Sequence, residues 1–336
     1  MATPVQTASM RNLLRQLRPH LSQQLIGVSA FEGMEQICAT FPPLSGLIIE
    51  RHLGGRPTKV DLSLRMLSSD RGRAFLASRQ DGVGKIARRW GDPVSPYRAL
   101  EVIWLEFDQP QAGALRQPSV FLGVCNLQPP YGWIIQAAET LRSSGFSACV
   151  RSSIESILAT SPGEPRSLQV GIMTSRGDDT IRLCLPMPAG AAATVCSAAG
   201  VANGANRVEA VLQQFTIAPQ TPILLHIDVG ETTGSTIGLE MKPGKQGGWK
   251  SLLAQIRSND LCSSCEIEDL LAWPGSALAL NSLGAEDISL QSPEHFASES
   301  VLPIRTLNHV KLVLQPDQPI TAKIYLYAGF VWPHKG

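Results

Sequence analysis

Five ααββ units that close a ten-stranded antiparallel β-barrel inside a ring of α-helices are the fold this 336-residue α/β chain, α+β in type, predicts. Three observations carry that expectation. Ten stretches alternate apolar and polar residues with the period of a strand, and they arrive in pairs. Stretches with helical spacing and helix punctuation fill the gaps between the pairs. Turn-rich links such as TSRGDDT and GETTGS join the members of a pair, so neighbours run antiparallel and not as parallel βαβ units. A sheet of ten strands rarely stays open without curling, and closure removes its exposed edges.

The elements follow in order. MRNLLRQLRPHL and FEGMEQICATF have helical spacing and precede the strand pair GLIIERHL and KVDLSLRML. RGRAFLASR and VGKIARRWG lead into LEVIWLEFD and PSVFLGV; GWIIQAAETLRSSG and RSSIESILAT lead into SLQVGIMTS and TIRLCLPM. The fourth unit is GAAATVCSAAG and NRVEAVLQQF with PILLHIDVG and STIGLEMK, and the fifth is GWKSLLAQIRS and EIEDLLAWPG with NHVKLVLQ and TAKIYLYAG. Identity between the repeats is negligible, so the repetition is one of architecture. It reads as a single domain over residues 1–336, with residues 1–30 a peripheral helical segment.

Parity then assigns the faces. Leu62, Leu64 and Met66 alternate with Asp61, Ser63 and Arg65, and Ile103, Leu105 and Phe107 with Trp104, Glu106 and Asp108. Ile181, Leu183 and Leu185 alternate with Arg182 and Cys184, and Leu225, Ile227 and Val229 with His226 and Asp228. Ile237, Leu239 and Met241 alternate with Gly238, Glu240 and Lys242, Val310 and Leu312 with His309 and Lys311, and Ile324 and Leu326 with Lys323, Tyr325 and Tyr327. A shell of helices needs an apolar wall to sit on, which leaves the polar parity facing the lumen. Barrel diameter grows with strand number, so ten strands leave room for a ligand where eight would be filled by side chains.

Composition removes other classes. Lys plus Arg come to 29 against 28 Asp plus Glu, so no global basic field recruits nucleic acid or an acidic membrane surface. No window approaches the roughly 18 to 20 apolar residues of a spanning helix. Seven cysteines, an odd number among apolar neighbours, point to reduced thiols and a cytoplasmic setting. Cys262 and Cys265 form a C-x-x-C without a second pair or nearby histidines, which reads as a helix start and not as a zinc site. The first 31 residues lack an acid and carry Arg11, Arg15 and Arg18, a composition shared by organellar presequences and surface helices; the surface helix is the reading taken. No hydrolase elbow, P-loop or dinucleotide fingerprint is present.

Five such units around a charged lumen resemble the ABBA prenyltransferases, the PT-barrel family of aromatic and peptide prenyltransferases. The resemblance lies in element order over essentially the whole chain. At the level of motif it rests on Lys323-Ile324-Tyr325, which is similar to the lysine-x-tyrosine strand pairs of the fungal indole members. It implies that Arg65, Arg182, Lys242, Lys311 and Lys323 grip the diphosphate of an allylic donor such as dimethylallyl or geranyl diphosphate. It further implies that Trp104, Tyr325 and Tyr327 shield the carbocation, and that Glu106 or Glu240 orients an aromatic or peptide-borne acceptor. His226 and Asp228, at i and i+2 on one strand face, are either an acid/base pair or a hydrogen-bonded lumen pair. The chemistry has its own logic: cations stabilise the departing diphosphate, ring faces favour the allylic cation, and excluded water cannot quench it.

No D-D-x-x-D or N-D-x-x-D pattern occurs, and GDDT at 177–180 lacks the spacing, so no cofactor is obligatory and magnesium is expected at most in company with the diphosphate. The leading expectation is a monomeric prenyltransferase. Its rival is a noncatalytic barrel whose lumen acids and bases neutralise one another around a peptide or small polar ligand, and a third reading puts proton transfer by Glu240, His226 and Asp228 on a bound peptide.

Overall fold

Alternating sequence forms strand and helically spaced sequence forms helix, in the expected order. The computed structural model describes residues 9–331 apart from 58, 69–70, 111–116, 126–131, 143, 162–166, 175–179, 232–233, 244–247 and 277–301. Most of the TSRGDDT link, with its GDDT stretch, and part of GETTGS lie outside the described residues.

The first unit is α1 (Met10–Leu17), α2 (Val28–Ala39), β1 (Gly46–His52) and β2 (Val60–Leu67); the second is α3 (Arg71–Ala77), α4 (Gly82–Arg89), β3 (Leu100–Asp108) and β4 (Ser119–Cys125). The third is α5 (Gly132–Arg142), α6 (Ala148–Thr160), β5 (Ser167–Ile172) and β6 (Ile181–Pro188), and the fourth is α7 (Ala192–Ala198), α8 (Gly204–Gln214), β7 (Pro222–Val229) and β8 (Ile237–Met241). The fifth contains α9 (Gly248–Ser258), α10 (Ser264–Ala272), β10 (Leu302–Leu314) and β11 (Thr321–Val331), with a two-residue strand, β9 (Gly275–Ser276), that the sequence reading lacks. Every pairing is antiparallel, the two-residue β9 pairs with the start of β10 on the edge that β8 occupies further along, and β11 pairs with both β10 and β1, so the barrel of ten strands is closed.

The apolar parity meets the helices. Leu62, Leu64, Ile103, Leu105, Leu183, Leu225 and Leu239 are buried in one core with the inner faces of the helices. Contrary to a peripheral N-terminal segment, α1 belongs to this shell: Met10, Leu13, Leu14 and Leu17 are buried in the same core, while Arg11 and Arg15 reach outward to Glu35. Trp273 packs at the end of α10 and donates from Nε1 to the Thr306 carbonyl at 3.1 Å. The C-x-x-C is the start of α10, where Ser263 and Glu266 form a reciprocal capping box. Cys38, Cys149, Cys184, Cys196, Cys262 and Cys265 are free thiols. No helix among the described residues is long and apolar enough to cross a membrane.

One irregularity positions the site. β10 carries a bulge between Leu307 and His309, and an extra residue reverses the facing of everything after it. Ile304 packs in the lumen before the bulge; after it the odd-numbered His309 and Lys311 point inward. Without the bulge, these two would sit against the helices.

On the outer wall of β1, Arg51 is 1% exposed and ties three elements together. Its guanidinium donates to the carbonyls of His52, Gly55 at 2.7 Å and Arg56 at 2.9 Å, and to Glu266 Oε1 of α10 at 3.0 Å. Arg51→Met leaves the Glu266 carboxylate without its charged partner and three carbonyls without the guanidinium, so urea denaturation is expected to show a loss of about 3–5 kcal/mol. Adding Glu266→Gln should recover part of that loss; full additivity of the two losses would contradict the pairing.

Candidate active site

Closure divides the lumen into two chambers that share one wall. At the end where β2 stops and β3 begins lies a chamber of about 610 Å³, lined by Ile48, Trp104, Phe121, Leu224, His309 and Tyr325 among others. At the opposite end lies a polar chamber of about 990 Å³, lined by His52, Asp61, Asp108, Arg182, Asp228 and Lys323 among others. His226 and Lys311 line both and form the partition.

The partition is a network. Lys311 Nζ lies 3.0 Å from His226 Nδ1 and 3.7 Å from Glu240 Oε1. An ammonium has only donors, so Nδ1 accepts and the proton of the neutral ring sits on Nε2, which faces Glu240 Oε1 at 2.9 Å. His309 Nε2 approaches the other oxygen, Oε2, at 3.2 Å while its ring stacks on Tyr325 with centroids 3.8 Å apart. Both Nε2 contacts are close but not aligned as hydrogen bonds, so they hold Glu240 chiefly by charge and dipole. Cys184 Sγ, on the strand beside His226, completes the shell of Nδ1 at 3.3 Å.

Gly238 explains how Lys311 reaches across. A methyl group at that position would come within 2.5 Å of Lys311 Cε and 3.0 Å of His226 Cβ, so the missing side chain is the path of the lysine stem. Burial pushes His226 down to about 4, and the neighbouring Lys311 acts in the same direction against the pull of Glu240. For Lys311 itself, burial lowers the value and outweighs the attraction of Glu240. Burial alone would raise Glu240, yet the two histidines hold it well below the usual carboxylate range.

In the polar chamber each strand-borne cation has a carboxylate. Arg182 and Asp228 stand directly opposite each other on β6 and β7 and form a two-pronged pair at 2.7 and 2.8 Å. Lys323 contacts Glu50 of β1 and lies 3.7 Å from Asp61 of β2, which also holds His52 at 3.1 Å. The ligand atoms of Glu50, His52 and Asp61 lie within 4.8 Å of one another, the spacing of a divalent-metal site, but the ammonium of Lys323 is already the cation of that cluster. Burial would raise Glu50, and Lys323 draws it far below its ordinary value; Asp61 is raised by burial despite His52. Burial would lower Lys323, and Glu50 and Asp61 raise it instead.

The sequence-derived residues therefore divide. Trp104, Glu106, Glu240, Lys242 and Tyr325 line the aromatic chamber, with Lys242 exposed at its rim. Tyr327 is buried beside Ile48 and Tyr325, its hydroxyl near the Ser45 carbonyl at 3.4 Å. Arg65, opposite Trp104 on the neighbouring strand, lies over the indole at 5.8 Å. Arg182, Asp228 and Lys323 belong to the polar chamber, so the five cations expected around one anion are not gathered into one cluster. His226 and Asp228 do not pair with each other, because each has a closer cross-strand partner. The partners of Arg182 and Lys323 are Asp228 and Glu50. Sequence reasoning missed Glu50, since LIIERH breaks the apolar/polar pattern: Arg51, a charged residue, takes an outward position like Leu47 and Ile49 and meets α10, while Glu50 faces in. It passed over His52 and His309 for the same reason, that only register shows what they touch.

No protein-family model matches the chain, and no curated protein matches it in sequence. Its fold has clear counterparts among solved structures. The chain is similar to 5-dimethylallyltryptophan synthase from Streptomyces coelicolor at 16% identity, with 95% of this chain and 97% of that one covered and a TM-score of 0.51. It is similar to PriB, solved in binary complex with product diphosphate, at 16% identity over 95% and 96% of the two chains, with a TM-score of 0.51. A third counterpart is NotF in complex with brevianamide F and DMSPP, at 12% identity over 96% and 95%, also with a TM-score of 0.51. The fold is thus the PT barrel of the ABBA prenyltransferases, as the element order implied.

The buried neutral His226 makes stability depend on pH. Its folded value lies below the ordinary 6.5, so the unfolded chain binds the extra proton first; the stabilisation is complete above about 6.5 and is lost as pH falls towards 4. Denaturation titrations are expected to show a decline of up to about 3 kcal/mol across that window, flattened in His226→Gln.

Proposed function

We propose that this barrel transfers an allylic prenyl group from its diphosphate to an aromatic nucleophile, with the two chambers holding the two ends of the donor. The observation that carries the reading is the shared wall: a buried ammonium, Lys311, stands between a chamber of paired cations and a chamber of aromatic rings. The diphosphate would lie against Lys311, Arg182 and Lys323, and the prenyl chain would pass the partition towards Tyr325 and Trp104. As the allylic C–O bond ionises, its electron pair leaves with the diphosphate, where three cations meet the growing charge. The faces of Tyr325 and Trp104 oppose the allylic cation, each contributing roughly 0.5–2 kcal/mol. The acceptor's electron pair forms the new bond, and Glu240 or Glu106 takes the acceptor's proton.

Support also comes from the counterparts, whose names include dimethylallyltryptophan synthase and complexes with diphosphate and brevianamide F. The choice of indole, phenol or peptide acceptor, magnesium in company with the donor, and a monomeric state belong to this same proposal. A second reading, a noncatalytic binding barrel, is favoured by the ion pairs: Arg182 and Lys323 are each already neutralised by a carboxylate. The donor must displace these acids or draw the cations away from them.

Calorimetric titration with dimethylallyl and geranyl thiolodiphosphates, with and without magnesium, separates the readings. Under prenyl transfer, Lys323→Ala and Arg182→Ala each weaken donor binding by tenfold or more, about 1.4 kcal/mol. Under the binding-barrel reading they leave donor binding unchanged and instead destabilise the fold by several kcal/mol, because Glu50 or Asp228 is left buried and unpaired.

Asp61 supplies a sharper test. Because burial raises Asp61 above its ordinary value, acidification through its titration removes one negative charge beside Lys323, and donor affinity should rise there. Asp61→Asn should strengthen binding at neutral pH and remove most of that dependence; weaker binding in this variant would count against the polar chamber as the diphosphate site.

A further inference from the structure

The lumen does not account for the charge carried outside it. Between β2 and β3, residues 68–99 contain seven Lys or Arg against three Asp, in a chain totalling 29 against 28, so the rest of the chain is net acidic. The two described acids of this stretch are occupied locally. Asp81 caps α4 and binds Arg79 Nε at 2.9 Å, and Asp92 Oδ1 accepts from the Val94 amide at 3.0 Å.

The cations form one surface. Arg88 crosses from α4 to the end of α3, donating to the carbonyls of Ala77 at 2.7 Å and Arg79 at 2.8 Å. Arg73 of α3 lies against Gly91, where an added methyl would come within 2.8 Å of its Nη1, and Arg89 lies over the Tyr97 ring at 5.4 Å. Lys85, Arg88 and Arg89 share one exposed face of α4, and Arg98 is exposed on the short 3₁₀ helix Pro96–Ala99. Because several of these guanidiniums are fixed by their own protein, the positive array is preorganised.

An apolar tip lies in the same stretch, between Arg89 and Arg98 in sequence. Val94 is 88% exposed, one of only two large hydrophobic side chains among the described residues to be strongly exposed. It sits in the turn Asp92-Pro93-Val94-Ser95, which is closed by Ser95 N to the Asp92 carbonyl at 3.0 Å and followed by Ser95 Oγ accepting from Tyr97 N at 3.1 Å. The turn holds the valine outward. Its place matters as well: the chain leaves β2 at Leu67 and enters β3 at Leu100 at the end of the barrel where the aromatic chamber lies, so this stretch starts and finishes at that end.

We infer that the face formed by α3, α4 and the Asp92–Ala99 turn docks an acidic polypeptide segment beside the aromatic mouth. Charge complementarity selects an acidic partner, and an exposed apolar side chain held by a turn within a cationic stretch selects a polypeptide, which can offer an apolar side chain to Val94 between carboxylates. A nucleic-acid backbone has no group to cover the valine. Docking at this face would present an acceptor carried by the partner to the lumen; that last step rests on the prenyl-transfer reading, whereas docking does not.

The test uses fluorescence anisotropy of the whole chain with a labelled peptide of repeating Glu-Glu-Leu, its Gln-Gln-Leu counterpart, a DNA duplex and phosphatidylserine vesicles. The acidic peptide should bind, with affinity falling as salt rises and at least about tenfold tighter than the Gln peptide. The double variant Lys85→Glu with Arg98→Glu, both exposed positions, should weaken it about tenfold or more, and Val94→Ser should weaken it severalfold, with thermal melts and thiolodiphosphate calorimetry unchanged. Equal binding of both peptides, or no effect of either variant, would overturn the inference. So would tighter binding of DNA or vesicles that ignores Val94→Ser, which would make this face a polyanion or lipid surface. Loss of donor binding with intact peptide docking would sink the catalytic reading alone.

Discussion

Antiparallel pairing of β1 with β11, in register from Gly46 with Gly329 to His52 with Lys323, closes the sheet and creates the interior on which everything else depends. An open ten-stranded sheet would leave its polar face in water and two edges unpaired; a closed one has a wall with a greasy outside and a polar inside. The helices settle on the apolar parity because they have their own stripes to bury. The polar parity has no other place to go. Closure also brings together residues from the two ends of the chain, and Lys323 meets Glu50 across 273 positions of sequence.

A wall that encloses ionisable groups imposes a second constraint, since a buried charge without a partner costs several kcal/mol. Within the lumen, Glu50, Asp61, Glu106, Asp108, Asp228 and Glu240 outnumber the strand-borne Arg65, Arg182, Lys311 and Lys323. Pairing follows the shortest cross-strand route: Arg182 with Asp228, Lys323 with Glu50, Lys311 with His226 and Glu240. Any anion entering the polar chamber competes with these carboxylates. The aromatic chamber differs in its ring-bearing wall of Trp104, Phe121 and Tyr325, with Arg65 lying over the Trp104 indole. One barrel therefore presents two solvents to a ligand, an ion-paired end and an aromatic end, joined at Lys311 and His226.

Period and punctuation carry the fold in the sequence alone. Leu62, Leu64 and Met66 against Asp61, Ser63 and Arg65 require a two-faced strand wherever that strand is placed, and the capping box at Ser263 and Glu266 starts a helix by local hydrogen bonds. These are short-range effects, so they need no neighbour to be read. Which residues would face the lumen was legible for the same reason, including Trp104, Glu240, Lys311 and Lys323.

What the tertiary structure alone decided is partnership, because register is set by the whole sheet and not by any one strand. The bulge after Leu307 turns His309 and Lys311 inward, and Gly238 clears a path for the lysine to reach His226. Arg51 is a charge on the outward parity of β1, where it binds Glu266, which hides the role of Glu50 beside it. That Arg182 and Lys323 line one chamber, Lys242 the rim of the other and Lys311 both likewise depends on how far along its strand each one sits after the barrel has closed. Sequence determined which side chains would be inside; closure determined which of them would meet, since contact across a barrel is a property of distance in space that spacing along the chain does not encode.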